Sequence, residues 1–174
     1  FNKTSFIKGI EKTIEHYFMK IIPIKTKKTS LNILILGSNG QIGSSLKKIL
    51  SRNKKKYQIT CLERKDLDLT NFIKLRNYLK KNKFDIVINC VAYTRVDDAE
   101  LNKIEANKLN SKMPLVLAKI AQKKKIILIH YSTDYVFDGK TKKDYYEKSK
   151  TNPLNIYGST KLKGDLNILN QNGK

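Results

Sequence analysis

Tyr157 and Lys161 stand four residues apart in NIYGSTKLKGD, and on a helix that spacing puts both on one face. A phenol beside an ammonium has a depressed pKa, because the cation favours phenolate. That brings a group normally near ~10 closer to the pH at which it passes a proton. Reducing a carbonyl with a hydride leaves an alkoxide that needs such a proton. Tyr157 is the candidate donor, with Lys161 tuning it and holding a nicotinamide ribose. Thr133, in STDYVFDG, is the candidate hydroxyl that orients the carbonyl oxygen. Y-x-x-x-K arises readily by chance in a chain with nine Tyr, and an ordinary surface helix is the plain alternative. The elements that precede it add the specificity.

The first of these is LNILILGSNGQIG at residues 31–43, a short apolar run followed by Gly37, Gly40 and Gly43. In a parallel sheet a strand ends at its carboxyl edge and turns into a helix. Gly37 permits the turn, Gly40 lets backbone approach a pyrophosphate, and Gly43 lets the helix pack close to the sheet. The helix amino terminus then offers free N–H groups and a positive dipole end to phosphate. The spacing is G-x-x-G-x-x-G rather than G-x-G-x-x-G, so the glycines alone are weak evidence. An acid waits at the end of the next apolar run, ITCLERK, where Glu63 lies 26 residues after Gly37. That is near the offset expected of a group binding the adenosine ribose. Arg64 beside it could instead attract a 2′-phosphate, so the choice between NAD and NADP stays open, and Glu63–Arg64 could equally be a surface pair.

Apolar runs alternate with helical periodicity along the rest of the chain. Strands are expected at Leu31–Leu36, Tyr57–Leu62, FDIVINCVA and KIILIHYST. Helices are expected over Gly40–Leu50, Asn71–Lys81 and Lys103–Gln122, the last interrupted only at Met113–Pro114. Apolar runs without period-two alternation belong to strands covered on both faces. The fold class is therefore α/β, a Rossmann-type doubly wound parallel sheet. Residues 5–19 show helical spacing, and residues 23–30 read as a linker. The chain opens at Phe1 and reaches Lys174 soon after a helix begins, so it is expected to be a piece of a longer protein: residues 1–22 a leading helix, 23–30 a linker, and 31–174 a dinucleotide-binding domain truncated before most of its substrate domain.

Composition narrows the classes. The 174 residues, 40% hydrophobic, suffice for about one domain with a real core. The formal charge of +21 comes mostly from Lys, with Arg only at 52, 64, 76 and 95. Phosphate and base-edge recognition favours the planar Arg fork, so the charge reads as solvated surface and no nucleic-acid partner is expected. No apolar run approaches the ~18 residues of a membrane helix. Cys61 and Cys90, inside apolar runs, make neither a disulfide framework nor a metal site, and a cytoplasmic setting fits.

The set of motifs resembles the extended branch of the short-chain dehydrogenase/reductase superfamily. Within it, ILGSNGQIG, FDIVINCVAYTRVDDAE, HYSTDYVFDG and NPLNIYGSTKLKGD are similar, in order and spacing, to the dTDP-4-dehydrorhamnose reductase family. The resemblance spans roughly residues 31–170, and STDYVFDG is its most specific part. It implies NADPH- or NADH-dependent reduction of the 4-keto group of a nucleotide-linked 4-keto-6-deoxy sugar, either dTDP or UDP. Carried over by position, it implies that Gly40, Gln41 and Ile42 contact the dinucleotide and that Glu63 is the adenosine-ribose acid. Asp68 and Leu69 then lie beside the adenine, and Val91, Ala92 and Tyr93 line the cofactor. Thr133 and Asp134 touch substrate, Tyr157 and Lys161 are the catalytic pair, and Asn110 is structural. NCVAYT departs from the family's run of alanines, and the bulk of Cys90 and Val91 bears on the fit of the nicotinamide face. The alternative is a non-catalytic NAD(P)-binding regulatory subunit resembling that of methionine adenosyltransferase; retention of Thr133, Tyr157 and Lys161 favours the enzyme. Epimerase or dehydratase chemistry on the same scaffold is disfavoured by STDYVFDG.

The leading SFIKGIEKTIEHYF resembles the carboxyl-terminal helix of nucleotide-sugar 4,6-dehydratases. Covalent fusion to a dehydratase and homodimerisation are the assemblies left open. The fragment alone is expected to reduce little. His130 reads as a buried, satisfied histidine, and Asp97, Asp98 and Glu100 as an amino-terminal cap. KKDYYEKSKTNP reads as a mobile loop over the site, with Tyr145 and Tyr146 positioned toward the sugar nucleotide.

Overall fold

LNILIL forms β1 (Leu31–Leu36), whose alternate side chains serve two different cores. Ile33 and Ile35 face one core, built with Leu46 and Leu50 of α1 (Gln41–Leu50) and with Ile86 and Ile88. Leu34 and Leu36 face the other, which gathers Leu75 and Leu79 of α2 (Phe72–Lys81) and Met113, Val116 and Leu117 of α5 (Met113–Lys124). A strand buried on both faces has no polar side to show, which is why its sequence reads as one apolar run. The computed structural model describes residues 30–142, 144–146 and 148–172. The expected leading helix over 5–19 and nearly all of the linker lie outside the described residues.

β2 (Tyr57–Leu62), β3 (Ile86–Asn89) and β4 (Ile127–His130) join β1 in one parallel sheet of order β2-β1-β3-β4. The order places the topological switch between β1 and β3, where doubly wound sheets bind ligands beyond their carboxyl ends. Register makes that edge a straight row. Leu62, Leu36, Asn89 and His130 are successive partners across the sheet. The next residue of each strand therefore opens the edge: Glu63, Gly37, Cys90 and Tyr131.

The expected helix over Lys103–Gln122 is broken earlier than Met113. α3 (Val96–Leu101) and α4 (Lys103–Asn107) are short, and a π turn over Lys108–Lys112 leads into α5. Pro114 has no N–H to give the Asn110 carbonyl four residues back, so the α ladder fails there. The wider turn buries two consecutive polar residues, Asn110 and Ser111, against α6 (Ile156–Asn172). The side-chain amide of Asn167 in α6 donates to the Ser111 carbonyl and hydroxyl, both at 3.2 Å. At Gly164 an added Cβ would strike the Asn110 carbonyl oxygen, so α6 lies directly on the turn.

Candidate active site

The glycine turn is held by its own backbone. Gly37 adopts φ +76°, and an added Cβ there would also meet Val91 Cγ2 at 2.8 Å. A Cβ at Gly43 would collide with the Gly37 carbonyl oxygen. Gly40, the amino-terminal cap of α1, is different: its nearest neighbour would be that same oxygen at 3.4 Å, an ordinary contact. The fold needs glycine at 37 and 43 but not at 40, which stands exposed. Ser38 between them is buried, and its hydroxyl has no partner among the described residues. Gln41 and Ile42 begin α1, whose first turn carries no acid and no side-chain cap.

Glu63 opens the edge after β2 and is paired with Lys65 at 3.2 Å, while Arg64 is exposed. Asp68 turns onto its own loop, accepting Thr70 N–H at 2.9 Å and Thr70 Oγ1–H at 2.7 Å. These bonds lower its pKa. Leu69 is spent in the core, 6% exposed.

Past β3, the apolar run stops being strand at Asn89. Cys90 packs with the α1-side core and Val91 with the α2/α5-side core, so the bulk that departs from alanine is absorbed by packing. Ala92 follows, half-buried. Tyr93 is clamped by Asn110, which accepts its N–H at 2.7 Å and donates to its carbonyl at 3.1 Å. Its hydroxyl donates to Asp98, which also takes Arg95 at 3.1 Å. Asp97 and Asp98 lie in the first turn of α3, as expected of acids at a helix start, but none of Asp97, Asp98 and Glu100 makes a capping bond to it. Arg95 occupies the cap position of α3 without a side-chain bond. Glu100 caps a different helix, accepting Ile156 N–H of α6 at 2.7 Å. Acids near a helix start favour that helix, but a carboxylate with a free N–H in reach across the fold satisfies it instead.

α6 carries Tyr157 and Lys161. Glu100 and Asn155, whose Oδ1 accepts Gly158 N–H at 2.7 Å, fix its first turn. At Gly158 a Cβ would strike the Tyr135 carbonyl oxygen, so the helix presses on the turn that Thr133 opens. The Tyr157 ring meets the Tyr135 ring edge-on at 5.4 Å. Thr133 Oγ1 accepts Tyr135 N–H at 3.3 Å and donates to Asp134 Oδ1 at 3.1 Å; Asp134 itself is exposed. Lys161 is 2% exposed and donates to the Tyr131 carbonyl. Burial lowers its pKa while Asp165 raises it. Tyr157, Lys161 and the Thr133 turn therefore meet at one corner of the carboxyl edge, next to the β3 end that adjoins the glycine turn.

Residues 31–174 match the family described as the RmlD substrate binding domain. The chain belongs to that family. This RmlD-family chain is 37% identical over 137 residues to a dTDP-4-dehydrorhamnose reductase of Aggregatibacter actinomycetemcomitans, covering 79% of this chain and 46% of the relative. It superimposes on the crystal structure of such a reductase from Clostridium acetobutylicum with a TM-score of 0.78 at 37% identity, covering 83% of this chain and 51% of the other. The reductase of Bacillus anthracis, solved in complex with NADP, gives 0.77 at 33% identity over 82% and 50%. The chain spans about half the length of the curated relatives it matches. Among the described residues no helix is long and apolar enough to cross a membrane.

Several residues that shape this RmlD-family corner escaped the sequence reading. Asn89 and Ser132 act on partners far along the chain, His130 and Asp165, and carry no local signal. Asp165 did carry one: it follows Lys161 by the same four residues that single out Tyr157 and Lys161. Tyr145 stacks its ring on Phe137 at 4.2 Å and donates its hydroxyl to Asp138 at 3.0 Å. Tyr146 is 66% exposed.

Proposed function

We propose that this chain is the dinucleotide-binding half of an NAD(P)H-dependent oxidoreductase. It reduces the 4-keto group of a nucleotide-linked 4-keto-6-deoxy sugar, dTDP- or UDP-4-dehydrorhamnose, to the corresponding rhamnose nucleotide. The observation that carries this reading is the seating of the Tyr157–Lys161 face of α6 on the Thr133 turn. The names of the relatives and the NADP in the Bacillus anthracis structure support it. The regulatory-subunit alternative lacks such support and leaves three retained groups without work. Two free cysteines, Cys61 and Cys90, accord with a cytoplasmic setting.

The residues present fit a dinucleotide. A glycine that the fold does not need, at 40, leaves open the space a Cβ would fill, and a buried hydroxyl at Ser38 waits without a partner beside it. Gly37, Gly40, Gln41, Ile42 and Gly43 hold the diphosphate against the α1 amino terminus. Glu63, Arg64, Asp68 and Leu69 flank the adenosine, and Val91, Ala92, Tyr93 and Lys161 the nicotinamide side. When bound, the cofactor supplies a hydride. Thr133 turns its hydroxyl proton from Asp134 to the carbonyl oxygen and so orients it, and Tyr157 delivers its phenolic proton to the oxygen as negative charge gathers there. Lys161 stabilises the phenolate left behind.

The test is NADPH oxidation by the full-length protein with a dTDP-linked 4-keto-6-deoxy sugar. Tyr157→Phe lowers kcat by about 10²- to 10⁴-fold. Turnover unchanged in that variant contradicts the assignment.

A further inference from the structure

Around Lys161 lies a second set of titratable groups that the proposed reaction does not use. Tyr157, Lys161 and Asp165 follow one another at four-residue intervals and share a face of α6. Asp165 accepts a hydrogen bond from Ser132 Oγ, the residue before Thr133. His130 Nε2 lies 3.5 Å from Asp165 Oδ1 and 3.3 Å from Lys161 Nζ. The His130 side chain is 7% exposed.

The protonation of this cluster follows from its hydrogen bonds. Val91 N–H donates to Asn89 Oδ1 at 3.1 Å, which fixes the orientation of that amide. Asn89 Nδ2 therefore faces His130 Nδ1, at 2.9 Å, and donates to it. Burial and the Lys161 cation push the His130 pKa down to about 3, so the ring is neutral. A neutral imidazole that accepts at Nδ1 carries its proton on Nε2. That N–H cannot accept from the Lys161 ammonium, and the two donors converge on the side where Asp165 stands. Lys161 turns its own N–H to the Tyr131 carbonyl.

We propose that Asp165 is a positioning residue for the proton step: anchored by Ser132, it supplies the counter-charge that keeps buried Lys161 an ammonium one helical turn from Tyr157. The inference rests on the reductase reading above. The cation is buried almost completely, and removing a charged group from water is strongly unfavourable unless an opposite charge is near. The groups around it are His130 Nε2 at 3.3 Å and the Tyr131 carbonyl at the end of β4, and Asp165 on α6, which meets the same His130 nitrogen. Asp165 is the carboxylate in this group. Its own pKa is raised by burial and lowered by the Ser132 bond and Lys161, as a paired buried carboxylate requires.

Removing the counter-charge lets Lys161 lose its proton at lower pH. In the full-length protein, Asp165→Asn moves the alkaline limb of the kcat–pH profile down by about one unit and leaves KM for the sugar nucleotide within twofold, since Asp165 does not reach substrate. Asp165→Glu restores the parent limb. Ser132→Ala, a milder change for the case where Asp165→Asn does not fold, shifts the limb the same way by less. A kcat that falls equally at every pH, with the limb unmoved, overturns the proposal. Lysine ¹³Cε NMR titration reads the same shift without turnover, Lys161 being assigned by its absence in Lys161→Arg. Absence of reductase activity in the parent defeats the reductase reading alone; an unmoved Lys161 titration in Asp165→Asn defeats this one.

Discussion

The glycine turn and the β4–α6 corner lie on the same sheet edge and are held by opposite means. In the turn the restraints are mostly backbone ones: Gly40 N–H donates to the Gly37 carbonyl at 3.1 Å, Gly43 packs on that same carbonyl, and Gly37 N–H donates to the Leu62 carbonyl of β2 at 3.0 Å. At the corner they span the chain. Lys161 reaches Tyr131 across 30 residues, Asp165 reaches Ser132 across 33, Asn110 reaches Thr160 across 50 and Glu100 reaches Ile156 across 56. In the proposed reading the turn makes room for an anion through its backbone, and the corner fixes a proton donor and its cation through side chains.

Substitutions break the two regions differently. The largest cost falls on the long-range clamp. Asn110→Ala leaves Tyr93 N–H, the Tyr93 carbonyl and Thr160 Oγ1 without their partner, and lowers unfolding free energy by about 3 kcal/mol, read by urea denaturation. Gly43→Ala drives a Cβ into backbone that cannot yield and costs about 2 kcal/mol in the same measurement. If Gly43→Ala proves neutral, the turn is not the close-packed device described.

The next effect is pH-dependent and belongs to the corner. His130 titrates at about 3 when folded against an ordinary 6.5. The unfolded chain binds a proton below 6.5 that the folded ring refuses, so this contribution is complete above that pH and drains as pH falls toward 3. The slope is at most about 1.4 kcal/mol per pH unit. Between pH 6.5 and 5 the parent therefore loses about 1.6 kcal/mol relative to His130→Gln, which has no such proton to bind. Equal acid slopes in the two proteins contradict the buried neutral ring.

The smallest stability effect sharpens the contrast most. Gly40→Ser gives α1 a favourable amino-terminal cap and changes stability by only a few tenths of a kcal/mol, upward. It fills space that the protein leaves open, so dinucleotide affinity falls about tenfold, measured by NADPH fluorescence titration. Stability and affinity moving together would mean that Gly40 serves the fold alone.

This difference in range also decides what the sequence discloses. β1 and β2 have the bounds their apolar runs predict, and α1 and α2 begin one residue later, at Gln41 and Phe72, because Gly40 and Asn71 are their caps. Glycine spacing, strand ends and the Tyr157–Lys161 interval are local patterns, and local patterns survive in one dimension. The break at Lys108–Lys112 was misplaced because Pro114 acts on the carbonyl four residues earlier, not on its own position. Glu100 was read as a cap for its own helix because its actual partner, Ile156 N–H, is set by how α3 and α6 dock. Asp165 lay within reach of the same periodicity that exposed Lys161, but its meaning depends on Ser132 and His130, which only the sheet brings near.

The central claim is that Tyr157 and Lys161 act as one unit. A double-mutant cycle on kcat for NADPH oxidation with the 4-keto sugar nucleotide, using Tyr157→Phe, Lys161→Met and the double variant, tests it directly. Groups that act as a unit are strongly non-additive, so the double variant should be no slower than the worse single one to within about threefold. Losses that multiply instead would place the two side chains in separate steps and contradict the account.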